Sequence, residues 1–520
     1  MKTKQQYFYN ALLLTAVTLL MRTVSVAFNV YISGKVGAEA MGLLSLVGGV
    51  YGFAVTLATS GIHLATVRTV AERMQKTGGA ENGRCLRACL SYALFFGSLA
   101  TVLLLFLARP IGLFALRDTR TVRALQMLSL TLLPIAVTTV FNGYFTAVRR
   151  AFKNAIVQVL EQAIKISLTT YLLLAIAPKT VEGSILAILF GGAVAESASL
   201  LHNLLLYLLD KRHHRVKKLA KSTNSIRVAP IALPVAISAY MRSGLLTIEH
   251  ILIPRGLQRY GAGNSAALAA YGTIQGMALP VVLYPAAILS SFSALLIPEI
   301  TEQHAANNKT EIRYIAGRAY QMSLLFSIGT SAVMIFLSGE LGTVLYGNRE
   351  AGRFIALLAP LIPVMYLDTA TDALLKGLGE QVYSMNVNIL DAFVSVLSVL
   401  ILVPLMGISG YVVTIYITEL LNAALSICRL LKVSGFRPRA FSLLLRPLFA
   451  ALGATLLGKL FFTLIFPSLA WGGLTLALHI ITLALLYVML LFLTGGLQIG
   501  DVRWLSRSLF AKKKKKNAVS

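Results

Sequence analysis

The sequence predicts an all-α polytopic membrane protein of about fourteen transmembrane helices, and three observations support this fold class. Hydrophobic residues make up 57% of the 520 residues, and charged residues only 13%. Apolar runs of about 20 or more residues recur along the chain, and a helix of that length can cross the hydrocarbon core of a bilayer. The chain also contains an internal repeat. A soluble domain would need far less apolar sequence, so we predict that the chain spans a membrane.

The repeat relates two stretches of the chain. Each stretch comprises a long apolar helix that contains an arginine, a short turn, and a second apolar helix that ends in a glutamate. Equivalent residues are separated by 220 residues at the start of the repeat and by 230 residues farther on. The clearest equivalent pairs are Arg22 with Arg242, Gly42 with Gly272, and Glu72 with Glu302. The protein is therefore predicted to consist of two related halves.

The predicted spans form two groups of six and a final pair. In chain order they are residues 8–33, 40–66, 86–108, 124–147, 155–177, 184–209, 228–254, 266–297, 314–338, 354–375, 382–404, 408–430, 443–466 and 470–493. Because six is an even number, both halves start from the same side of the membrane and the repeats are parallel. The predicted organisation is an N-lobe at 1–209, a basic cytoplasmic linker at 210–227, a C-lobe at 228–440, helices 13 and 14 at 441–494, and a basic cytoplasmic tail at 495–520.

Lysine and arginine residues indicate the orientation of these spans. With the N-terminus inside, 33 of the 47 basic residues lie in inside segments and 10 lie in outside segments. Cytoplasmic connections carry such an excess, so both termini are predicted to be cytoplasmic. The basic loops, in a chain of net charge +27, are expected to contact anionic membrane lipids rather than nucleic acid. One outer connection runs against the pattern, and we expect its arginines to face lipid phosphates: Arg109, Arg117, Arg120 and Arg123.

Arg22 and Arg242 are the first candidate site residues, because both lie near mid-depth of a predicted span, in helices 1 and 7. A charged side chain in a bilayer is costly and usually faces a cavity or a partner. If helices 1 and 7 line the space between the halves, the two guanidinium groups face one cavity and suit a phosphate or pyrophosphate. The alternative is that each arginine pairs with a carboxylate in its own half.

Several carboxylates also lie inside predicted spans. The candidates for ion coupling or for lining a cavity are Glu249, Asp368, Asp372, Glu161 and Asp391. Glu249 follows Arg242 by two helical turns on the same face. Asp368 and Asp372 are four residues apart on one face, so the pair is a candidate for sharing a proton or holding a cation. For Glu161, an internal ion pair with Lys165 is the simpler alternative.

Other residues predict no further site. Cys85 and Cys89 lie four residues apart at one helix start, and Cys428 lies far away, so we predict neither a disulfide framework nor a metal site. No cofactor and no catalytic residue is predicted. Helix 8 carries Gly276 and Pro285 as well as Pro280, and it is the span most expected to bend.

The ordered set of short stretches resembles a known family. These stretches are Met21-Arg22 with Gly34–Leu43, Asn142–Phe145, Glu161–Ile166, Ala278–Pro280 and Leu296–Ile300. Together they are similar to the stage V sporulation protein B-like branch of the polysaccharide exporters, within the multidrug/oligosaccharidyl-lipid/polysaccharide (MOP) flippase superfamily. The match covers nearly the whole chain.

The resemblance implies two six-helix lobes arranged in a V around a central cavity that opens alternately to each side of the bacterial cytoplasmic membrane. It implies that the two extra helices, 13 and 14, form a groove for a lipid tail. Arg22 matches the helix 1 arginine of the related peptidoglycan lipid flippases by position. The second basic residue that those proteins carry is replaced here by Phe28-Asn29, so Asn29 is the expected cavity residue at that point.

The leading functional hypothesis is a flippase for a lipid-linked oligosaccharide or peptidoglycan precursor, a polyprenyl-pyrophosphate sugar, in spore cortex or cell wall synthesis. A cell-wall synthase partner is compatible with this hypothesis. The alternative is a cation-coupled multidrug exporter of the same superfamily, which an acidic cavity would favour. A membrane glycan polymerase is less favoured, because such an enzyme places its chemistry on a large external loop and no predicted outer connection is much longer than about fifteen residues.

Overall fold

The computed structural model describes residues 2–77, 82–175, 180–213, 228–436, 440–465, 472–498 and 500–501. Within these residues every regular element is helical, so the predicted all-α membrane fold is confirmed. Helices are the expected elements, because a helix satisfies its backbone hydrogen bonds internally in a medium without water. Most of the predicted linker and tail lies outside the described residues.

Twelve segments of the described chain are long and apolar enough to cross a membrane. The first, Val17–Gln75, covers most of the first predicted span and all of the second. The helix Ala151–Ala175, which overlaps the predicted span 155–177, is not among the twelve. The count of fourteen therefore stays a prediction.

The described residues group by contacts into two compact units. The first unit falls within Met1–Met277 and Asn388–Thr414, and the second within Ala278–Val387 and Ile415–Ser520. The predicted lobes at 1–209 and 228–440 are a division by repeat rather than by contact. Their boundaries and their layout stay a prediction.

Most helices of the first unit follow one another along the chain. They are α1 (Lys2–Thr59), α2 (Ile62–Thr77), α3 (Asn82–Pro110), α4 (Arg120–Ser129), α5 (Leu132–Ala147), α6 (Ala151–Ala175), α7 (Val181–His213), α8 (Ala229–Arg259) and α9 (Asn264–Gly272). A π-helical segment, Ile111–Leu116, follows α3. The larger part of a later helix, α16 (Gln381–Met406), also belongs to this unit.

Helix α1 contains the first predicted span and most of the second, joined without a loop. The junction is Gly37, whose backbone has φ 81° and ψ 174°. Only glycine adopts that conformation without strain, so the chain changes direction there. The helix ends at Thr59, and Ser60 and Gly61 follow with positive φ. A Cβ atom at Gly61 would lie 2.6 Å from the carbonyl oxygen of Ala232 in α8, so α8 packs directly on this turn.

Helices α1 and α9 cross at two glycines. A Cβ atom at Gly42 would lie 1.9 Å from the carbonyl oxygen of Leu268, and one at Gly272 would lie 2.3 Å from the backbone nitrogen of Gly42. Small residues permit such close backbone approach in membrane helices. The crossing therefore requires glycine on both helices.

The second unit contains the rest of the described helices. They are α10 (Leu279–Leu283), α11 (Ala286–Ala305), α12 (Lys309–Phe336), α13 (Ser338–Tyr346), α14 (Arg349–Leu358), α15 (Ile362–Gly377), most of α17 (Ile408–Ser434), α18 (Ala440–Ile465) and α19 (Gly473–Leu493). Apolar side chains of α12 pack against α11 and α15 on one side. They pack against α18 and α19 on another, which places the two helices outside the repeat on α12.

Predicted helix 8, over 266–297, is interrupted as its glycine and prolines predict. A π-helical segment, Thr273–Ala278, separates α9 from α10, and Pro285 caps α11 after a second interruption. Proline lacks a backbone N–H group and clashes with the preceding helical turn. A π-helical turn is a common form of local helix irregularity. The predicted single span is thus built from three helices and a π turn.

Candidate functional site

The two embedded arginines lie on α1 and α8, and both side chains are exposed. Among the residues that the structure describes, neither Arg22 nor Arg242 forms an ion pair with a carboxylate. The alternative of a private carboxylate partner is therefore not found in this part of the chain. Each guanidinium group is left able to bind an anion.

A second polar residue follows each arginine by seven residues. Asn29 follows Arg22 in α1, and Glu249 follows Arg242 in α8, so Asn29 and Glu249 are also equivalent in the repeat. Seven residues are close to two helical turns, which puts each pair on one face. Within the described residues, the buried Oδ1 atom of Asn29 has no hydrogen-bond partner. A buried unsatisfied oxygen is costly unless a ligand or water satisfies it.

Glu249 lies beside α16. Its carboxylate faces Ser395 and is within electrostatic range of Asp391, both on α16. The structure thus brings together two of the candidate acids that are far apart in the sequence. Two carboxylates in one partly buried site favour a shared proton or a bound cation.

Aromatic residues that the sequence analysis did not select complete this acidic cluster. The hydroxyl of Tyr271 is 2.6 Å from His250 Nδ1. The Tyr411 hydroxyl donates to Gln275 Oε1 at 3.1 Å, and both tyrosines lie within electrostatic range of Glu249. In the sequence, these residues are visible only as single polar side chains in apolar helices. That pattern does not indicate that the helices meet.

The other candidate acids, Asp368 and Asp372, lie in the second unit and have different environments. Asp372 Oδ2 accepts from Lys376 Nζ at 3.2 Å. Asp368 faces Asn422 and Ser426 of α17, and its buried Oδ1 atom has no hydrogen-bond partner within the described chain. The spacing of Asp368 and Asp372 predicted that the two carboxylates act together. In the structure, Asp372 forms an ion pair with Lys376 one turn farther on.

Glu161 and Lys165 are neighbours on α6, as their spacing predicts. The carboxylate of Glu161 lies within electrostatic range of Lys165 and faces Ser199 of α7. Glu196 of α7 lies within electrostatic range of both Glu161 and Lys165. Lys165 is therefore within electrostatic range of two carboxylates, but within the described chain it forms no ion pair with either, so the internal ion-pair alternative for Glu161 is not found.

The arginine-rich outer connection contains an ion-pair network around Arg120, contrary to the expectation that all its arginines face lipid. Arg120 Nη1 lies 2.8 Å from Glu39 Oε1, and Arg120 Nη2 lies 2.6 Å from Asp118 Oδ2. Asn264 donates to Asp118 at 3.2 Å, and Ser265 donates to Glu39 at 2.9 Å. Arg120 therefore joins the start of α9 to α1 through two carboxylates.

Electrostatics of this network stabilise the ionised form of Asp118. Burial raises the pKa of Asp118, but hydrogen bonds from Arg120 outweigh burial and lower the pKa below its ordinary value. Arg123, by contrast, forms an exposed pair with Glu182 at 3.2 Å. The expectation of lipid contact is therefore wrong for Arg120, whose guanidinium group is occupied by two carboxylates, and it stays a prediction for the exposed Arg123.

Comparisons with known proteins bear on the fold and the family. Residues 8–304, more than half of the chain, match the family model described as polysaccharide biosynthesis protein. Residues 260–402 match the model named MatE. The chain is 26% identical over 443 residues to stage V sporulation protein B of Bacillus subtilis (strain 168), covering 83% of this chain and 85% of that protein. It is 23% identical over 454 residues to the lipid II flippase MurJ of the same organism, covering 80% and 81%.

Solved structures share the fold. A structure of the lipid II flippase MurJ in an inward closed conformation superposes with a TM-score of 0.69 at 12% identity, covering 92% of this chain and 98% of that one. An inward-facing multidrug resistance MATE family transporter of the MOP superfamily gives a TM-score of 0.60 at 17% identity, covering 81% and 99%. The resemblance to this superfamily is confirmed.

Proposed function

This chain belongs to the polysaccharide biosynthesis protein family, and we propose that it is a flippase that moves a lipid-linked sugar precursor across a membrane. The observation that carries the proposal is the pair Arg22 and Arg242. The two arginines occupy equivalent positions in the two halves, are embedded in spanning helices, and have no carboxylate ion pair among the described residues. Two relatives, a sporulation protein and a lipid II flippase, support a lipid-linked sugar precursor as the substrate.

Arg22 and Arg242 would bind the pyrophosphate of such a substrate. A guanidinium group is planar and can donate two parallel hydrogen bonds to a phosphate, so two of them suit a group with two phosphates. Asn29, two turns along from Arg22, would offer an amide to the phosphate or the first sugar. We propose that the two halves rock about this site, so that it faces each side of the membrane in turn.

Ion coupling is proposed for the acidic cluster of Glu249 and Asp391. Two carboxylates that lie together repel each other when both are ionised, so one proton or one cation relieves the repulsion. Glu249 follows Arg242 by two turns on α8. A change in its charge would therefore be felt by the proposed phosphate site on the same helix face. Asp368 and Glu161 are secondary candidates, and Asp372 is a weaker one because Lys376 already pairs with it.

The second candidate function is a cation-coupled multidrug exporter. The match of residues 260–402 to the MatE model favours it, because that stretch contains Asp391 of the acidic cluster. The proposed activity in either case is transport rather than catalysis. We propose that the protein is a multi-pass protein of the bacterial cytoplasmic membrane with both termini cytoplasmic, as the distribution of lysine and arginine supports.

The test is transport of fluorescent lipid II in proteoliposomes, comparing the wild type with Arg22→Ala and Arg242→Ala. Lys459→Ala is the matched control, since it removes an embedded cation from α18, outside the repeat. We expect transport by the wild type and the control, and its collapse in both arginine variants. Transport that survives both arginine changes would exclude the phosphate site. Folded wild-type protein that moves no polyprenyl-pyrophosphate sugar would instead favour the drug exporter.

A further inference from the structure

A cavity of about 550 Å³ lies in the second unit, between α12, α18 and the residues that follow α19. Three arginines line it: Arg313 and Arg318 of α12, and Arg446 of α18. The start of α12, the start of α18 and the end of α19 all lie on the side that the lysine and arginine distribution predicts to be cytoplasmic. The cavity is thus expected at the inner membrane surface.

Among the residues that the structure describes, one carboxylate lines this cavity, and it is already paired. Asp501 forms an ion pair with Arg318. Asp501 also accepts from Gln321 Nε2 at 3.2 Å and from the backbone nitrogen of Gln498 at 2.9 Å. These contacts satisfy the carboxylate and fix Arg318 in the wall. The charge of Asp501 is therefore not available to the other two arginines.

Arg313 and Arg446 retain uncompensated charge. Arg446 Nη1 donates to the carbonyl oxygen of Gly495 at 3.0 Å, and that acceptor is neutral. Arg313 lies against Gly435, where an added Cβ atom would be 3.1 Å from Arg313 Nη2. Within the described chain, neither arginine forms an ion pair with a carboxylate. Two guanidinium groups thus border one cavity with donors left for an anion.

Two glycines lie against the arginines of the cavity. Gly435 and Gly495 have positive φ angles of 65° and 67°, which glycine adopts without strain. Gly435 follows the end of α17, and Gly495 follows the end of α19. Each glycine lies against one of the two arginines. Both arginines are thus placed beside a turn that glycine permits.

Apolar side chains form another part of the lining. Leu325, Phe436, Leu443 and Pro447 line the same cavity. Leu325 is sixteen residues after the first residue of α12, which corresponds to about 24 Å along a helix. The cavity therefore extends from the basic rim toward the hydrocarbon region. A free phosphate would use only the rim, whereas an amphiphile would use both parts.

We infer that this cavity binds the phosphodiester headgroup of an anionic phospholipid from the inner leaflet, with Arg313 and Arg446 on the phosphate and the apolar wall against an acyl chain. Basic pockets between transmembrane helices on the cytoplasmic side are suited to such headgroups. The residues that line this cavity belong to the second unit, whereas the embedded arginines of α1 and α8 belong to the first. It does not depend on the identity of the transported substrate.

Native mass spectrometry of the purified full-length protein tests this site. Phosphatidylglycerol is added to delipidated protein, and the fraction that retains one lipid under collisional activation is measured. We expect retention to fall at least ~10-fold in the Arg313→Gln/Arg446→Gln variant, since two charged hydrogen-bond donors are lost. Arg349→Gln/Arg353→Gln is the matched control. It removes the same charge from the start of α14, on the predicted outer side, and is expected to retain the lipid.

Two further arms identify the ligand and guard against misfolding. Leu443→Trp keeps both arginines but fills the apolar part, and it is expected to lose phosphatidylglycerol as well. Phosphatidylcholine, whose headgroup carries a cation, is expected to be retained much less than phosphatidylglycerol. Equal retention of the two lipids, or unchanged retention in the double arginine variant, would overturn the proposal. Displacement of the lipid by submillimolar glycerol phosphate would identify a free phosphate ester as the ligand and would overturn it too.

Discussion

Gly42 and Gly272, which occupy equivalent positions in the two halves of the sequence, meet backbone to backbone where α1 crosses α9. A Cβ atom added at Gly272 would lie 2.3 Å from the nitrogen of Gly42. Glu39, one turn before Gly42, accepts from Ser265 of α9 and from Arg120. The same end of the crossing is thus held by close packing and by an ion-pair network.

Gly42→Ala is expected to destabilise the folded protein by about 1–3 kcal/mol, because the new methyl group would collide with the Leu268 carbonyl oxygen and force the helices apart. Thermal unfolding of the purified protein measures the change. Gly48→Ala is the matched control, because it lies on the same helix with no atom within 4 Å of an added Cβ. The control is expected to be neutral or stabilising, since alanine favours a helix. Equal melting temperatures for the two variants would contradict the tight crossing.

Arg120 and Glu39 are expected to be coupled by about 1 kcal/mol, because both side chains are partly buried and the guanidinium group also bonds Asp118. A double-mutant cycle of Glu39→Gln and Arg120→Gln, read by thermal unfolding, measures the coupling. The same cycle on Arg123 and Glu182 is the control. The side chain of Arg123 is 74% exposed, against 25% for Arg120, so its coupling should be no more than about 0.5 kcal/mol. A coupling energy that is larger for Arg123 and Glu182 than for Arg120 and Glu39 would contradict the stabilising role of the Arg120 pair.

The stability of this outer network is expected to depend on acid pH through Asp118. Hydrogen bonds from Arg120 lower the pKa of Asp118 despite its burial. A carboxyl group with a lowered folded pKa contributes stability above its unfolded pKa of about 3.9, and the contribution is lost as the pH falls through the folded pKa. The difference in melting temperature between the wild type and Asp118→Asn should therefore narrow below about pH 4. A melting-temperature difference that is constant from pH 7 to pH 3 would exclude a stabilising role for the ionised Asp118 side chain.

Glu249→Gln and Asp391→Asn are expected to remove the response of transport to an imposed proton or sodium gradient, because each variant leaves a single carboxylate in the acidic cluster. Proteoliposomes with defined gradients and fluorescent lipid II provide the measurement. Glu72→Gln, at a side chain that is 53% exposed, is the control and should respond as the wild type does. If transport by both variants responds fully to the gradients, ion coupling at Glu249 and Asp391 is excluded.

The sequence predicted the helices of this protein well, because each depends on local composition. Apolar length alone identifies spans such as Gln381–Met406, and the repeat identifies Arg22 with Arg242 and Gly42 with Gly272 as equivalent pairs. Local chemistry also predicted the interruption of helix 8, since Pro285 and Gly276 act on their own helix. The helices and the interruption of helix 8 are found in the structure with shifts of a few residues.

Side-chain partners depended on which helices are neighbours, and no local pattern encodes that. Arg120 was expected to face lipid, but the fold brings Glu39 to it from 81 residues away. Tyr271 and His250 were not selected, because each is an ordinary residue in an apolar helix until the two helices pack together. The sequence by itself determined the spans, the repeat and the embedded charges, since hydrophobic length and the cost of charge in lipid act on each helix separately. Only the tertiary structure decided that Gly42 touches Gly272 and that Glu249 faces Asp391, because those contacts follow from packing between helices.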